Sequence, residues 1–83
     1  MLNSPIELEI YVSTPETKEK EKVGIDYEWE ECDLKKSTFF VINAIYPCTD
    51  KGKVIGTYIC VSGYEVVTPM EYEKVKALIN KRI

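Results

Sequence analysis

Residues 38–46 read Thr38-Phe39-Phe40-Val41-Ile42-Asn43-Ala44-Ile45-Tyr46, and both alternating sets of side chains in this run carry apolar groups. A short apolar run bounded by turn formers reads as a strand covered on both faces and central in its sheet. Pro47 ends it. Thr49-Asp50-Lys51-Gly52-Lys53 then reads as a turn, with Gly52 supplying a positive φ.

Downstream, residues 54–61 read as a further strand. Ser62-Gly63 makes a two-residue hairpin loop, and Tyr64 to Val67 return as a short strand. A helix signal follows: Thr68 as N-cap, Pro69 in the first turn, and Glu71 completing a capping box. Tyr72, Val75, Leu78 and Ile79 form an apolar stripe at helical spacing, which Ile83 extends. Lys81 and Arg82 fall in the last turn, where cations suit the helix dipole.

Upstream, Asp33 to Ser37 read as a polar turn around Lys35-Lys36. Val23, Ile25, Tyr27 and Trp29 alternate with Gly24, Asp26, Glu28 and Glu30, which predicts a strand over 23–32. Residues 13–22 hold no apolar side chain and are expected to be a mobile charged loop. Ile6, Leu8, Ile10 and Val12 alternate with Glu7, Glu9 and Tyr11, the pattern of a half-buried strand.

The expected order is therefore β-β-β-β-β-α over residues 1–83, a single small α+β domain. Short connections favour an antiparallel five-stranded β-meander with one C-terminal α-helix packed on one face. The sheet either stays open or curls into a small SH3-like or OB-like barrel.

Tight turns at Lys35-Lys36 and Lys51-Gly52 set an expected register. Trp29 lies opposite Ile42, Tyr27 opposite Ala44, Ile42 opposite Val61, and Ile59 opposite Val66. Opposite residues share a face. The helix-covered face then collects Tyr27, Trp29, Phe40, Ile42, Ile59 and Val66. The second face collects Glu28, Glu30, Phe39, Val41, Ile45, Tyr58 and Cys60. Its centre is apolar, and one short helix does not cover both faces. Either the sheet curls over these residues or they meet a partner. A slip of one residue in either turn swaps the two sets.

The net charge of −3 conceals a polarised chain. Residues 1–34 hold ten acids and three lysines, a net of −7; residues 35–83 hold four acids and eight bases, a net of +4. Glu7, Glu9, Asp26, Glu28 and Glu30 are expected to line an acidic strip, a surface that steers a basic partner or the basic half of a second copy.

The chain contains no histidine, which removes the commonest general base and the commonest metal ligand. No nucleophile–base pair, phosphate-cradling glycine loop or calcium-loop spacing is present. In the expected register Cys32 and Cys60 flank the central strand, while Cys48 lies roughly 23 Å further along at strand rise and is the most exposed thiol. Three thiolates do not converge there, so no metal and no cofactor is expected.

Three cysteines without short spacing fit free thiols in a reducing cytoplasm. The N-terminus has neither the basic nor the apolar region of a signal peptide, and no apolar run approaches membrane-spanning length.

The functional expectation is a small non-enzymatic protein–protein interaction domain of adaptor, inhibitor or homodimerising type. Phe39, Val41, Ile45 and Tyr58 supply its apolar sheet face, and Glu28 and Glu30 its acidic flank. The alternative is a single-stranded nucleic-acid module of OB-like or SH3-like character. Phe39, Tyr46 and Tyr58 would then stack bases beside Lys35, Lys36, Lys51 and Lys53. The acidic strip disfavours phosphate.

Overall fold

The structure is a computed structural model and describes residues 4–82. Ile83 and the chain start at Met1 to Asn3 lie outside the described residues. Among those described, the chain forms five antiparallel strands in two sheets, two α-helices and one turn of 3-10 helix. It is an α+β domain with a C-terminal helix. No helix among the described residues is long and apolar enough to cross a membrane.

Strand β1 (Ile6–Val12) follows its alternation: Ile6, Leu8 and Ile10 are buried, whereas Glu7 and Glu9 are exposed. Its partner is β2 (Asp33–Phe39), in the register Ile6↔Phe39 through Val12↔Asp33. The expected polar turn at Asp33–Ser37 is thus a strand. Apart from Phe39, it has no buried apolar side chain of its own. Its extended backbone is specified by the ladder with β1, a case of pairing context outweighing local pattern. The Glu7–Lys36 ion pair at 3.8 Å spans these strands. Being exposed, it adds little to stability.

Residues 15–22, expected as a loop, form helix α1 (Pro15–Lys22). Thr14 caps it in a reciprocal box: the Thr17 backbone N–H donates to Thr14 Oγ1 at 3.1 Å, and the Thr14 N–H donates to Thr17 Oγ1 at 2.8 Å. At the other end Gly24 takes φ +75°. There the Ile25 N–H reaches the Lys20 carbonyl at 2.8 Å and the Gly24 N–H that of Glu21 at 3.2 Å. This is a Schellman closure. The helix stands on its caps, with Glu16 in its first turn and Lys20 and Lys22 in its last.

The strand expected over 23–32 is absent. Gly24 turns the chain away, and Trp29–Glu31 wind into the 3-10 turn. Glu28 and Glu31 form the capping box of that turn, and the Glu28 N–H donates to Glu31 Oε2 at 2.8 Å. Local carboxylate–backbone bonds of this kind compete with strand pairing. The expected Trp29–Ile42 and Tyr27–Ala44 pairs therefore do not form.

The run at 38–46 resolves into two strands. Phe39 ends β2 in the core, Phe40 to Asn43 cross between the sheets, and β3 (Ala44–Asp50) begins the second. Each strand needs one buried face, so an apolar run on both faces serves two sheets in succession. The β3–β4 hairpin closes through Lys51 (φ +53°) and Gly52 (φ +75°), the two left-handed residues of a type I′ turn. It pairs Asp50 with Lys53, and a bulge at Cys48/Thr49 then shifts the ladder to Cys48↔Gly56 and Ile45↔Ile59. The bulge overturns the expected Ile42–Val61 pairing and moves Ile45 to the core side. Strands β4 (Lys53–Val61) and β5 (Tyr64–Thr68) pair as expected, with Ile59 opposite Val66.

Helix α2 (Tyr72–Arg82) starts three residues after the expected Pro69. Thr68 stays in β5, and its Oγ1 accepts from the Met70 N–H at 3.4 Å. The first helical bond runs from the Val75 N–H to the Glu71 carbonyl. The stripe is as expected: Val75 is fully buried, and Leu78 and Ile79 pack beside it. Together they close a core of Ile6, Leu8, Ile10, Phe39 and Ile59.

Candidate functional site

The expected site residues separate. Phe39 is only 4% exposed and belongs to the core. Ile45 packs against that core through the bulged register, and Val41 is exposed in the crossing segment. They do not form a face with Tyr58, which lies with Tyr46 on the side of β3–β5 turned away from α2. Glu28 and Glu30 are exposed at the 3-10 turn. Of the six, the structure brings Tyr58 alone to a place shared with the 3-10 turn, where Trp29 lines the wall and Glu28 and Glu30 do not.

That place is a cleft of about 470 Å³ between the end of β1, the 3-10 turn and the outer face of β3–β5. Its walls include Tyr11, Tyr27, Trp29 and Tyr58, all half-buried, with the carboxylates of Asp50 and Glu65. Tyr11 reaches it because the odd–even alternation of β1 sends it away from the core. The Tyr11 and Trp29 rings stand 5.1 Å apart and tilted by 52°, forming a corner. Tyr58 lies opposite Tyr46 at 5.0 Å, and the Tyr46 hydroxyl donates to Glu65 Oε2 at 2.5 Å.

Helix α1 is the strut for this wall. The Tyr27 hydroxyl donates to the Glu21 carboxylate, and the Lys20 ammonium pairs with Glu31. Lys51 of the β3–β4 turn reaches Glu28 at 3.6 Å. A helix without apolar groups thus acts through its polar side chains.

The titratable groups report a negative environment. The Tyr11 hydroxyl is pushed up by burial and by Glu30, and the Cys32 thiol by burial and by Glu31. Tyr58 rises through hydrogen bonding to Cys48, and Tyr46 through its bond to Glu65. Each group resists gaining negative charge. Cys32 is therefore held as a neutral thiol, a poor nucleophile.

Cys48 is 1% exposed, not the most accessible thiol, because the bulge places it under Tyr58. Nor is it remote from Cys32: both raise the Tyr11 pKa. All three cysteines are free, and among the described residues no three His, Cys, Asp or Glu side chains group to hold a metal.

The strut gives a pH window. Hydrogen bonding to Glu21 pushes the Tyr27 phenol up to about 12 from its ordinary 10.0. Its contribution is whole below pH 10 and is lost as pH rises through 12. Lys20 and the Glu28 N–H lower the Glu31 carboxyl from its ordinary 4.5. Its contribution is whole above 4.5 and is lost as pH falls through the lowered value. Trp29 emission should hold steady between pH 4.5 and 10 and change outside those limits. Tyr27→Phe should remove part of the alkaline change. An unaltered alkaline limb in that variant would detach Tyr27 from the strut.

Of the expected site residues only Tyr58 lines the cleft; the sequence pattern assigned Tyr27 and Trp29 to a core and Tyr11 to a solvent face. The available signal was the interleaving Tyr27-Glu28-Trp29-Glu30-Glu31, in which rings and carboxylates share one short segment.

Two other depressions lie elsewhere on the surface. One of about 560 Å³ sets Glu7, Glu9 and Glu71 against Lys36 and Lys74; another of about 240 Å³ lies between β3 and α2 at Ile42, Ile45 and Ile79. No protein-family model, curated protein or solved structure matches this chain.

Proposed function

We propose that this chain is a small, non-enzymatic, cytoplasmic protein-interaction domain that takes a basic segment of a partner protein into the aromatic cleft. The observation that carries this reading is the convergence of four half-buried rings with Asp50 and Glu65 on one concavity. Half-buried rings offer large contact area at low entropic cost. The flanking carboxylates favour a cationic partner and speed its encounter. Three free cysteines suit a reducing compartment.

The same acids weigh against a nucleic-acid strand, since phosphate would enter a negative field. Lys35, Lys36, Lys51 and Lys53 do not line the cleft, and Lys51 is paired with Glu28.

The single tryptophan is a built-in reporter at this site. Adding a Lys/Arg-rich peptide should change Trp29 emission saturably, with affinity falling as salt rises. An acidic peptide and oligothymidylate should leave the emission unchanged. Saturation by the oligonucleotide, with no response to the basic peptide, would reverse the assignment.

A further inference from the structure

We infer that the cleft binds the N-methylated ammonium of a lysine side chain, seated in the corner formed by Tyr11 and Trp29. This rests on the reading of the cleft as a site for basic segments and names the chemistry that it selects. A cation within about 6 Å of an aromatic centroid is attracted by the ring face. Two rings 5.1 Å apart and tilted by 52° allow one cation to meet both, with Tyr27 and Tyr58 on the remaining walls.

Methylation is selected at the corner itself, where the cation meets two ring faces. A bare ammonium carries three donors that require acceptors when desolvated, and a guanidinium carries five. The ring faces of Tyr11 and Trp29 offer no lone pair; the acceptors of the cleft are Ser13, Thr49, Asp50, Glu65 and the tyrosine hydroxyls. Of the two lining carboxylates, Glu65 already accepts from Tyr46. A trimethylated ammonium has no donor to satisfy and sheds water more readily, yet keeps its charge. Asp50 and Glu65 then act through their field rather than through direct hydrogen bonds. A volume of about 470 Å³ admits this headgroup with its aliphatic stem and neighbouring backbone.

Three peptides of one sequence test the inference on the unaltered chain. Each is a short Gly/Ser peptide with arginines around one central position. That position holds lysine, trimethyl-lysine, or the neutral isostere with carbon in place of the quaternary nitrogen. Trp29 emission should give a trimethyl-lysine affinity about fivefold or more above that of the neutral isostere, and above that of lysine. In Tyr11→Leu, the preference for trimethyl-lysine over the neutral isostere should fall about twofold or more, with Trp29 and the field of Asp50 and Glu65 sustaining the rest. Equal binding of all three peptides to the unaltered chain overturns the methyl-ammonium inference and leaves the basic-segment reading standing. Binding of none overturns both.

Discussion

Gly56→Ala should lower the stability of this chain by about 3 kcal/mol or more, a large share of what a domain of this size possesses. The cause is contact and not dihedral strain. A Cβ at Gly56 would stand 2.0 Å from the Thr68 carbonyl oxygen and 3.0 Å from Pro69 Cα. Both are backbone atoms, so no rotamer change relieves the clash. Two hydrogen bonds hold that backbone in place: Thr57 Oγ1 donates to the Met70 carbonyl at 2.8 Å, and the Met70 N–H donates to Thr68 Oγ1. Displacing Thr68 to Met70 would also move the start of α2 and lift Val75 from the core. Urea unfolding followed by circular dichroism should show a much lower midpoint, or no folded baseline. A midpoint equal to wild type would mean that β5 does not pass so close to β4.

The parts of the fold legible in the sequence were those whose signals are local. The β1 alternation, the Ser62-Gly63 hairpin and the α2 stripe each specify their own geometry. The Lys51-Gly52 turn was legible for the same reason, but its consequence was not. One extra residue at the Cys48/Thr49 bulge moved Ile45 to the core side. Strand β2 was hidden because its pattern is supplied by β1 across the ladder. Helix α1 was hidden because its evidence lies in its caps, whereas its body lacks the apolar stripe by which helices are recognised. Thr14-Pro15-Glu16-Thr17 is nevertheless a start signal of the kind read at Thr68-Pro69-Met70-Glu71, and it does cap a helix, whereas Thr68 stays in β5.

Of the cleft, Tyr58 was legible and most of the rest was not. An acidic flank at Glu28 and Glu30 beside Tyr58 was expected; Tyr58 lines the cleft, but the carboxylates that line it with Tyr58 are Asp50 and Glu65. The apolar surface expected beside Tyr58 was not found, because Phe39 and Ile45 each complete a core. The aromatic wall depends on distant segments meeting: Tyr11 from one sheet, Tyr58 from the other, and Trp29 from a turn held by α1. No spacing rule in the sequence relates these positions.

Phe39→Glu should leave the chain unfolded at neutral pH, whereas Phe40→Glu should fold with a stability within about 0.5 kcal/mol of wild type. The two neighbours have opposite environments: Phe39 is 4% exposed and Phe40 is 65% exposed. Phe39 packs in the cluster of Ile6, Leu8, Ile10, Ile59 and Val75, none of which can pair with a carboxylate. Removing the ring alone costs about 3–5 kcal/mol. Burying an unpaired carboxylate adds several more, or forces it to take up a proton. The sum reaches the total stability of a small domain. Phe39→Leu should remain folded with a reduced melting temperature, separating loss of volume from burial of charge. Far-UV circular dichroism and thermal melts of the three variants decide the matter, because strand alternation exchanges the roles of adjacent residues under a one-residue slip. If Phe40→Glu unfolds and Phe39→Glu folds, the β1–β2 ladder is displaced by one residue. Phe39 would then return to the surface as a candidate partner contact, and the position of Tyr11 in the cleft would fall with the register that places it there.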